Sequence, residues 1–322
     1  MRALHLAHRR PRQQRGAALL TAMIIVTLVA TLAVAMVWQQ WRAVQVEAAE
    51  RARAQSAWIL SGALDFARLI LREDMKSDKG QPVTALTEPW ATPLAESRLS
   101  TFLAADKANA DDGPEAFLSG YIVDAQARYN LRNLVNAERP KAQAELEALT
   151  RLCEIIGVET GVAARIANGL RDATAVNATA SAKLEPRTVA QLVWLGIDTA
   201  TVQALQPYVV LLDDFSKVNV NTASKEVLMA AMAVDSGSAE QLVQIRQRTP
   251  FKSTAEVGKQ NAALTADALG AIVVNSSFFE VTGRLRLADH VLTERSLVKR
   301  EANQQIRVLQ RERIASLEQV GS

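Results

Sequence analysis

An uncharged apolar segment near the N-terminus places the strongest limit on how this chain can fold. No charged residue occurs between Ala17 and Trp38. As a helix, this segment would rise about 33 Å, and a bilayer hydrocarbon core is about 30 Å thick. Because an apolar run of this length is costly to expose to water, we expect residues 17–38 to form a transmembrane helix.

The charges beside this segment predict how it crosses the membrane. Residues 1–16 contain five arginines and no acidic residue, and without them the formal net charge of the chain changes from +3 to −2. Basic flanking residues are retained on the cytoplasmic side. We therefore expect a single-pass protein of a bacterial inner membrane, with its N-terminus in the cytoplasm and its bulk in the periplasm. The excess positive charge indicates topology and not a nucleic-acid surface.

Four interpretations of the segment are open at this point. A cleaved secretory signal has an apolar core of about 7 to 15 residues and a small-x-small site; Ala33 and Ala35 supply such a site, but the core here is longer. A twin-arginine signal would begin at Arg9 and Arg10, yet the polar residues "PRQQ" follow them. A plain membrane anchor is the third interpretation. The fourth is a leader that ends at Gly16, where a residue without a side chain is accessible to a protease.

The helix is predicted to continue beyond the membrane. After the apolar segment no proline occurs before Pro82, and good helix formers dominate. An apolar stripe at helical spacing predicts that the second half, to about residue 75, packs on a soluble domain. The stripe consists of Ile59, Ala63, Phe66 and Ile70.

The remainder of the chain changes character twice. Apolar and polar residues alternate from Phe279 to Leu287, and a strand pair is predicted around Tyr121. Between these regions the spacing is helical, with Asp198 and Ser224 as N-caps. We expect an α+β fold, in which the long helix packs on a small antiparallel sheet and an all-helical insert interrupts that sheet. The predicted boundaries are residues 76–135 and 276–322 for the head and 136–275 for the insert.

Few residues support catalysis. Cys153 is the single cysteine, which excludes an internal disulfide and a paired-cysteine zinc site, and we expect it in the core. His290 is the one histidine after the first sixteen residues, and we expect it at the surface. No Gly-x-Ser-x-Gly or phosphate-loop motif occurs. We therefore expect no enzyme; an anchored periplasmic enzyme is the weakest of the function classes considered.

Three stretches together resemble the minor pseudopilin K family (GspK) of type II secretion. They are "RGAALLTAMIIV", "GYIVDAQARYNLRNL" and "KVNVNTASKEVLMAA". The resemblance implies a type IV pilin-like subunit at the tip of the secretion pseudopilus, in complex with minor pseudopilins I and J and also with H. It further implies that the subunit helps to initiate and cap the filament that drives export of folded proteins across the outer membrane.

The same resemblance implies how the N-terminus is processed. A prepilin peptidase would cut between Gly16 and Ala17, and the new amine of Ala17 would be methylated. The fifth residue of the mature chain would be Thr21, where most pilins have a glutamate that pairs with the terminal ammonium of a neighbouring subunit. An unpaired carboxylate is costly in a bilayer, so its absence suits a tip subunit with no preceding neighbour.

The third stretch, with "AEQLVQIRQRTPFKS" after it, also resembles a helix-hairpin-helix unit. Units of this kind that bind DNA carry a Gly-x-Gly hairpin, whose amides contact phosphate. Here the hairpin reads "MAVDSGSAE", so we expect a packing unit and no nucleic-acid partner. A DNA-binding minor pilin for DNA uptake is the alternative function. The structural residues predicted for the unit are Asn219, Asn221, Thr222, Ala223 and Gly237.

The resemblance to the minor pseudopilin K family also raises calcium binding, because some members of that family bind calcium. Calcium requires clustered oxygen ligands, and the two adjacent aspartate pairs of this sequence are its candidate ligands. We expect both pairs to be solvated loop residues and predict no cofactor. The pairs are Asp111 with Asp112, and Asp213 with Asp214.

Overall fold

The structure, a computed structural model, describes residues 15–77, 82–99, 116–136, 139–174, 184–261, 264–287 and 290–314. Two compact units are found, one to Trp58 and one from Ile59 onward. Most of the predicted leader and the pair Asp111 and Asp112 lie outside the described residues.

The first unit consists of helix. Helix α1 extends over Arg15–Ser77, and every described side chain from residue 17 to residue 51 is exposed. Within the described ranges, α1 is the one helix that is long and apolar enough to cross a membrane. The hydroxyl of Thr21 donates to the carbonyl oxygen of Ala17 at 2.8 Å, which satisfies this polar group inside an apolar segment.

Nine strands and eight further helices follow in the described part of the second unit. The strands are β1 Leu94–Arg98, β2 Ala116–Asp124, β3 Tyr129–Asn130, β4 Val209–Val210, β5 Val218–Asn219, β6 Ile272–Val273, β7 Phe278–Leu287, β8 His290–Arg300 and β9 Ile306–Ile314. The helices are α2 Asn133–Asn136, α3 Arg139–Ile155, α4 Gly161–Thr174, α5 Thr199–Leu205, α6 Lys225–Met232, α7 Ser236–Arg248, α8 Thr254–Gln260 and α9 Ala266–Gly270. Short 3₁₀ helices cover Pro89–Ala91, Ala125–Ala127 and Val189–Leu195.

The head is a five-stranded antiparallel sheet in the order β1-β2-β7-β8-β9. The predicted strand pair around Tyr121 is wrong, because β2 pairs with β7 from the far end of the insert. The chain turns at Ala125–Ala127, and β3 then pairs in parallel with β4 inside the insert. The α+β prediction is confirmed: α1 packs on an antiparallel sheet, and the helices of the insert lie in the chain between two neighbouring strands of that sheet, β2 and β7.

The face of α1 that packs on the sheet differs from the predicted stripe by one position. Leu60, Leu64 and Leu71 are buried, whereas Phe66 is 50 % exposed. Two rows of apolar residues lie side by side on this helix. The row that includes Leu64 and Leu71 is the one that packs in the head, in the same cluster as Trp90 and Phe279. These two rings meet edge to face, with centroids 5.3 Å apart, a favoured aromatic geometry.

The insert has its own apolar core, and the predicted caps are confirmed there. Asp198 accepts from the amide of Thr201 at the start of α5, and Ser224 accepts from the amide of Val227 at the start of α6. Cys153 is completely buried in this core, and burial raises the pKa of its thiol to about 11. The prediction of a core cysteine is therefore confirmed.

Two glycines give a paired test of this packing. A Cβ on Gly120 would lie 2.6 Å from the backbone oxygen of Thr282, whereas a Cβ on Gly62 would meet no atom within 4 Å. We expect Gly120→Ala to lower the free energy of unfolding by about 1 to 2 kcal/mol, because β2 and β7 must separate. We expect Gly62→Ala to raise it by about 0.5 to 1 kcal/mol, because alanine restricts the unfolded helix segment. Urea titration of both variants in mild detergent measures this, and changes of the same sign would contradict the packing.

Candidate functional site

A buried carboxylate lies where the head sheet meets the helical insert. Asp124 ends β2 and is 1 % exposed. Its Oδ2 accepts from Ser276 Oγ at 2.6 Å, from Thr222 Oγ1 at 2.6 Å and from Asn219 Nδ2 at 2.8 Å. Its Oδ1 accepts from the amide of Gln126 at 2.8 Å. Four donors from three separate parts of the chain thus converge on one side chain.

Burial determines the protonation behaviour of this group. Removal from water disfavours the charged form and raises the pKa of Asp124 above its ordinary value. The hydrogen bonds from Ser276, Thr222, Asn219 and Gln126 stabilise the carboxylate and act in the opposite direction. The effect of burial is the larger of the two.

Asn219 extends the contact to the segment that follows α1. Besides Asp124, its Nδ2 donates to Thr84 O at 3.0 Å and to Ser276 Oγ at 2.9 Å. Thr84 also accepts, through Oγ1, from the amide of Ser276 at 3.0 Å. We call the set Thr84, Asp124, Asn219, Thr222 and Ser276 the polar junction.

An ion pair continues the polar junction to α1. Arg300, the last residue of β8, pairs through Nη2 with Asp74 Oδ2 of α1. The two side chains are 7 % and 6 % exposed. Arg300 Nη1 also lies 3.5 Å from Thr84 Oγ1, and its guanidinium lies 4.3 Å from the ring centroid of Phe279. One connected set of polar contacts therefore joins α1, the sheet and the insert.

The residues predicted for the helix-hairpin-helix unit are not all in one place. Asn219 and Thr222 belong to the polar junction, and Asn221 binds the backbone of Phe251 through its side-chain oxygen and nitrogen, each at 2.9 Å. Ala223 is completely buried in the insert core. Gly237 lies apart, in the first turn of α7.

Hydrogen bonds within the fold hold the hairpin between α6 and α7, although Asp235 and Gly237 are exposed. Ala233 adopts a left-handed conformation with φ 51°, and Asp235 caps α7 by accepting from the amides of Gly237 and Ser238. Arg246 of α7 is buried, and its Nη1 donates to Val220 O at 2.5 Å. Burial lowers the pKa of Arg246 to about 10. The amides of Gly237 and Ser238 and the guanidinium of Arg246 therefore have their hydrogen-bond partners within the fold.

Two asparagines outside the prediction hold the loop after β4. Asn130 Nδ2 donates to Asp214 O at 2.8 Å, and Asn130 Oδ1 accepts from the amide of Leu212 at 3.1 Å. Asn133 donates to Ser216 O at 2.8 Å and accepts from the Ser216 amide at 3.1 Å. These asparagines, like Asp124, interrupt apolar runs of the second resembling stretch, and that interruption is the signal by which they could have been found.

The remaining aspartate pair is on the surface. Asp213 and Asp214 are exposed, and the carboxylate of Asp214 pairs with Lys299. Among the described residues, no three acidic, histidine or cysteine side chains lie together as metal ligands. Since calcium takes six to eight oxygen ligands, this pair alone does not form a calcium cage.

Comparison with known proteins gives a consistent match. Two family models described as type II secretion system (T2SS), protein K match residues 127–214 and 218–275. Type II secretion system protein K of Pseudomonas aeruginosa is 26 % identical over 94 % of this chain and 93 % of that protein. The Klebsiella pneumoniae protein of the same name is 29 % identical over 90 % and 93 %.

A solved structure shares the fold. The match is to a chain in the crystal structure of the GspK–GspI–GspJ complex from the type 2 secretion system of enterotoxigenic Escherichia coli, with a TM-score of 0.65 and 18 % identity. It covers 83 % of this chain and 99 % of that chain. The resemblance inferred from the three stretches is confirmed.

Proposed function

Since this chain belongs to the type II secretion system protein K family, we propose that it is the minor pseudopilin that assembles with minor pseudopilins I and J at the tip of a secretion pseudopilus. The similarity along more than nine-tenths of the chain carries this proposal. The solved relative of the same fold was crystallised with GspI and GspJ. Contact with minor pseudopilin H belongs to the same proposal.

The N-terminus supplies the means of assembly. We propose that a prepilin peptidase cuts between Gly16 and Ala17 on the cytoplasmic face of the inner membrane, that Ala17 is then methylated, and that α1 anchors the periplasmic part. Thr21 donates to the helix backbone and offers no carboxylate to the terminal amine of another subunit. This supports a subunit that begins a filament.

The polar junction supports a capping role for the insert. It ties the insert to the sheet through buried hydrogen bonds of Asp124 with Thr222 and Asn219. Buried networks with satisfied partners favour one fixed arrangement. A rigid insert placed at the filament end would occupy the position of a next subunit and thereby cap the filament that drives export of folded proteins across the outer membrane.

Intact-mass analysis of the protein extracted from membranes tests the processing. We expect an N-terminus at methylated Ala17, because the peptidase recognises the glycine that precedes the apolar segment. The Gly16→Leu variant should retain the leader, since its side chain blocks the cut. An unprocessed wild type, or an N-terminus at Met36 after a cut behind Ala35, would contradict the proposal. Co-purification of I and J with the wild type tests the complex separately.

A further inference from the structure

A cleft lies between the helical insert and the outer strands of the head sheet. Its volume is about 630 Å³. Its lining includes residues of the 3₁₀ helix Val189–Leu195 and α5 from the insert, and residues of β8 and β9 from the sheet. Val210, Leu211 and Leu297 provide an aliphatic part of the lining. This cleft is separate from the polar junction.

Arginines dominate the charged lining of this cleft. The lining includes four arginines against two glutamates, namely Arg128, Arg187, Arg295 and Arg313 with Glu280 and Glu312. An unpaired excess of positive charge at one place favours an anionic ligand.

The arginines are only partly neutralised within the described fold. Arg128 Nη2 lies 2.8 Å from Glu280 Oε2, while the buried Arg128 Nε has no hydrogen-bond partner among the described residues. Arg295 lies opposite Glu312 in the β8–β9 register. No ion pair is formed by the side chains of Arg187 or Arg295 with any residue that the structure describes.

We propose that this cleft binds a carboxylate-bearing segment of a partner pseudopilin, an inference that rests on the proposed complex with I and J. A guanidinium binds a carboxylate through two parallel hydrogen bonds. Arg187, just before the 3₁₀ helix Val189–Leu195, and Arg295 of β8 both line the cleft. The aliphatic lining accepts an apolar side chain next to the acidic one. The two glutamates would repel a continuous phosphate backbone, so an acidic peptide fits better than nucleic acid.

The position of the cleft suits contact with another subunit. Its lining includes residues of β9, one of the two edge strands of the described sheet. Edge strands present unpaired backbone groups to which an extended segment can pair. An acidic segment in the cleft would thus lie next to backbone groups that can hold it in register.

The charge-reversal variant R187E/R295E tests the inference. Purified I and J are each titrated against the labelled full chain in mild detergent, and the dissociation constant is measured at two salt concentrations. We expect the variant to bind at least one of them about 10- to 100-fold more weakly, because two attractive contacts become repulsive. The wild-type affinity should fall with salt. R187K/R295K should retain most of the affinity.

Two control variants distinguish a loss of binding at the cleft from a general effect of net charge and from misfolding. R171E/R248E makes the same change in net charge at exposed positions of α4 and α7 and should bind like the wild type. The single variant R187E changes an exposed residue and should fold normally, with affinity reduced about 3- to 10-fold. Circular dichroism checks the fold of each variant.

The remaining outcomes distinguish the two proposals. If I and J bind the wild type and R187E/R295E equally well, the cleft is not the contact, although the proposed function stands. If neither binds the wild type, the proposed function and the inference both fail. If a short DNA duplex binds the wild type and is lost in R187E/R295E while I and J are unaffected, the cleft is a nucleic-acid site and the inference is overturned.

Discussion

Replacing Asp124 by asparagine should lower the free energy of unfolding by about 2 to 4 kcal/mol at neutral pH. Oδ2 accepts from three donors, one of them Asn219 Nδ2, and Oδ1 accepts from the Gln126 amide. An amide group in either orientation places N–H against N–H. The isosteric change therefore leaves buried donors without an acceptor and weakens the attachment of the insert to the sheet.

Urea titration of the full chain in mild detergent measures this loss, and Asp198→Asn is the matched control. Asp198 caps α5 at the surface, where asparagine caps as well as aspartate, so its change should stay below about 0.5 kcal/mol. Equal effects of the two variants would contradict the role of the polar junction.

The pH dependence of the Asp124→Asn effect gives a second readout. Because the folded pKa of Asp124 is raised above its ordinary value of 3.8, the folded wild type retains a proton that the unfolded chain releases. Wild-type stability relative to the variant should therefore decrease as pH rises from about 3.8 through the raised pKa. A difference that grows with pH in that window would show that the folded pKa is lowered instead.

Replacing Arg300 by leucine should cost more, about 3 to 5 kcal/mol, because it removes the guanidinium that pairs with the buried carboxylate of Asp74. The same substitution removes the guanidinium from the face of Phe279 and from Thr84. The contact between the end of α1 and the end of β8 would be lost. The loss of stability expected for Arg300→Leu exceeds that expected for Asp124→Asn, because the charged carboxylate of Asp74 stays buried.

The double variant D74L/R300L is the test of that explanation. Removing both charges removes the cost of burying the Asp74 carboxylate without Arg300, and replacement of buried pairs by apolar residues is often close to neutral. We expect the double variant to recover more than half of the stability that Arg300→Leu loses in urea titration. A double variant as unstable as the single one would show that packing of the arginine, and not the charge of Asp74, is responsible.

Both variants act on one set of contacts that links the parts of the second unit. Thr84 accepts from Asn219 and Ser276 on one side and lies 3.5 Å from Arg300 on the other. A change at Asp124 or Arg300 should therefore also reduce affinity for I and J if the complex needs a fixed insert. The single cleft variant R187E should reduce affinity without reducing stability.

Local sequence patterns determined those helices and strands that depend mainly on the length, polarity and spacing of neighbouring residues. The uncharged run from Ala17 to Trp38 requires a long apolar helix because its length and polarity allow little else. The alternation from Phe279 to Leu287 specifies a half-buried strand, and the spacing after β3 specifies helices with caps at Asp198 and Ser224. The three resembling stretches were sufficient to identify the family.

Only the tertiary structure decided which of these elements meet. The sequence around Tyr121 contains a good strand but nothing that selects β7 as its partner, because a strand's period specifies its faces and not its neighbour. The row of α1 that packs inward depends on the shape that Trp90 and Phe279 present to it. In the sequence, Asp124 has the features of an ordinary turn residue. Only the folded structure places Asn219, Thr222 and Ser276 around its carboxylate. Burial then makes its hydrogen bonds necessary, since an unsatisfied polar group inside a protein costs far more than one in water.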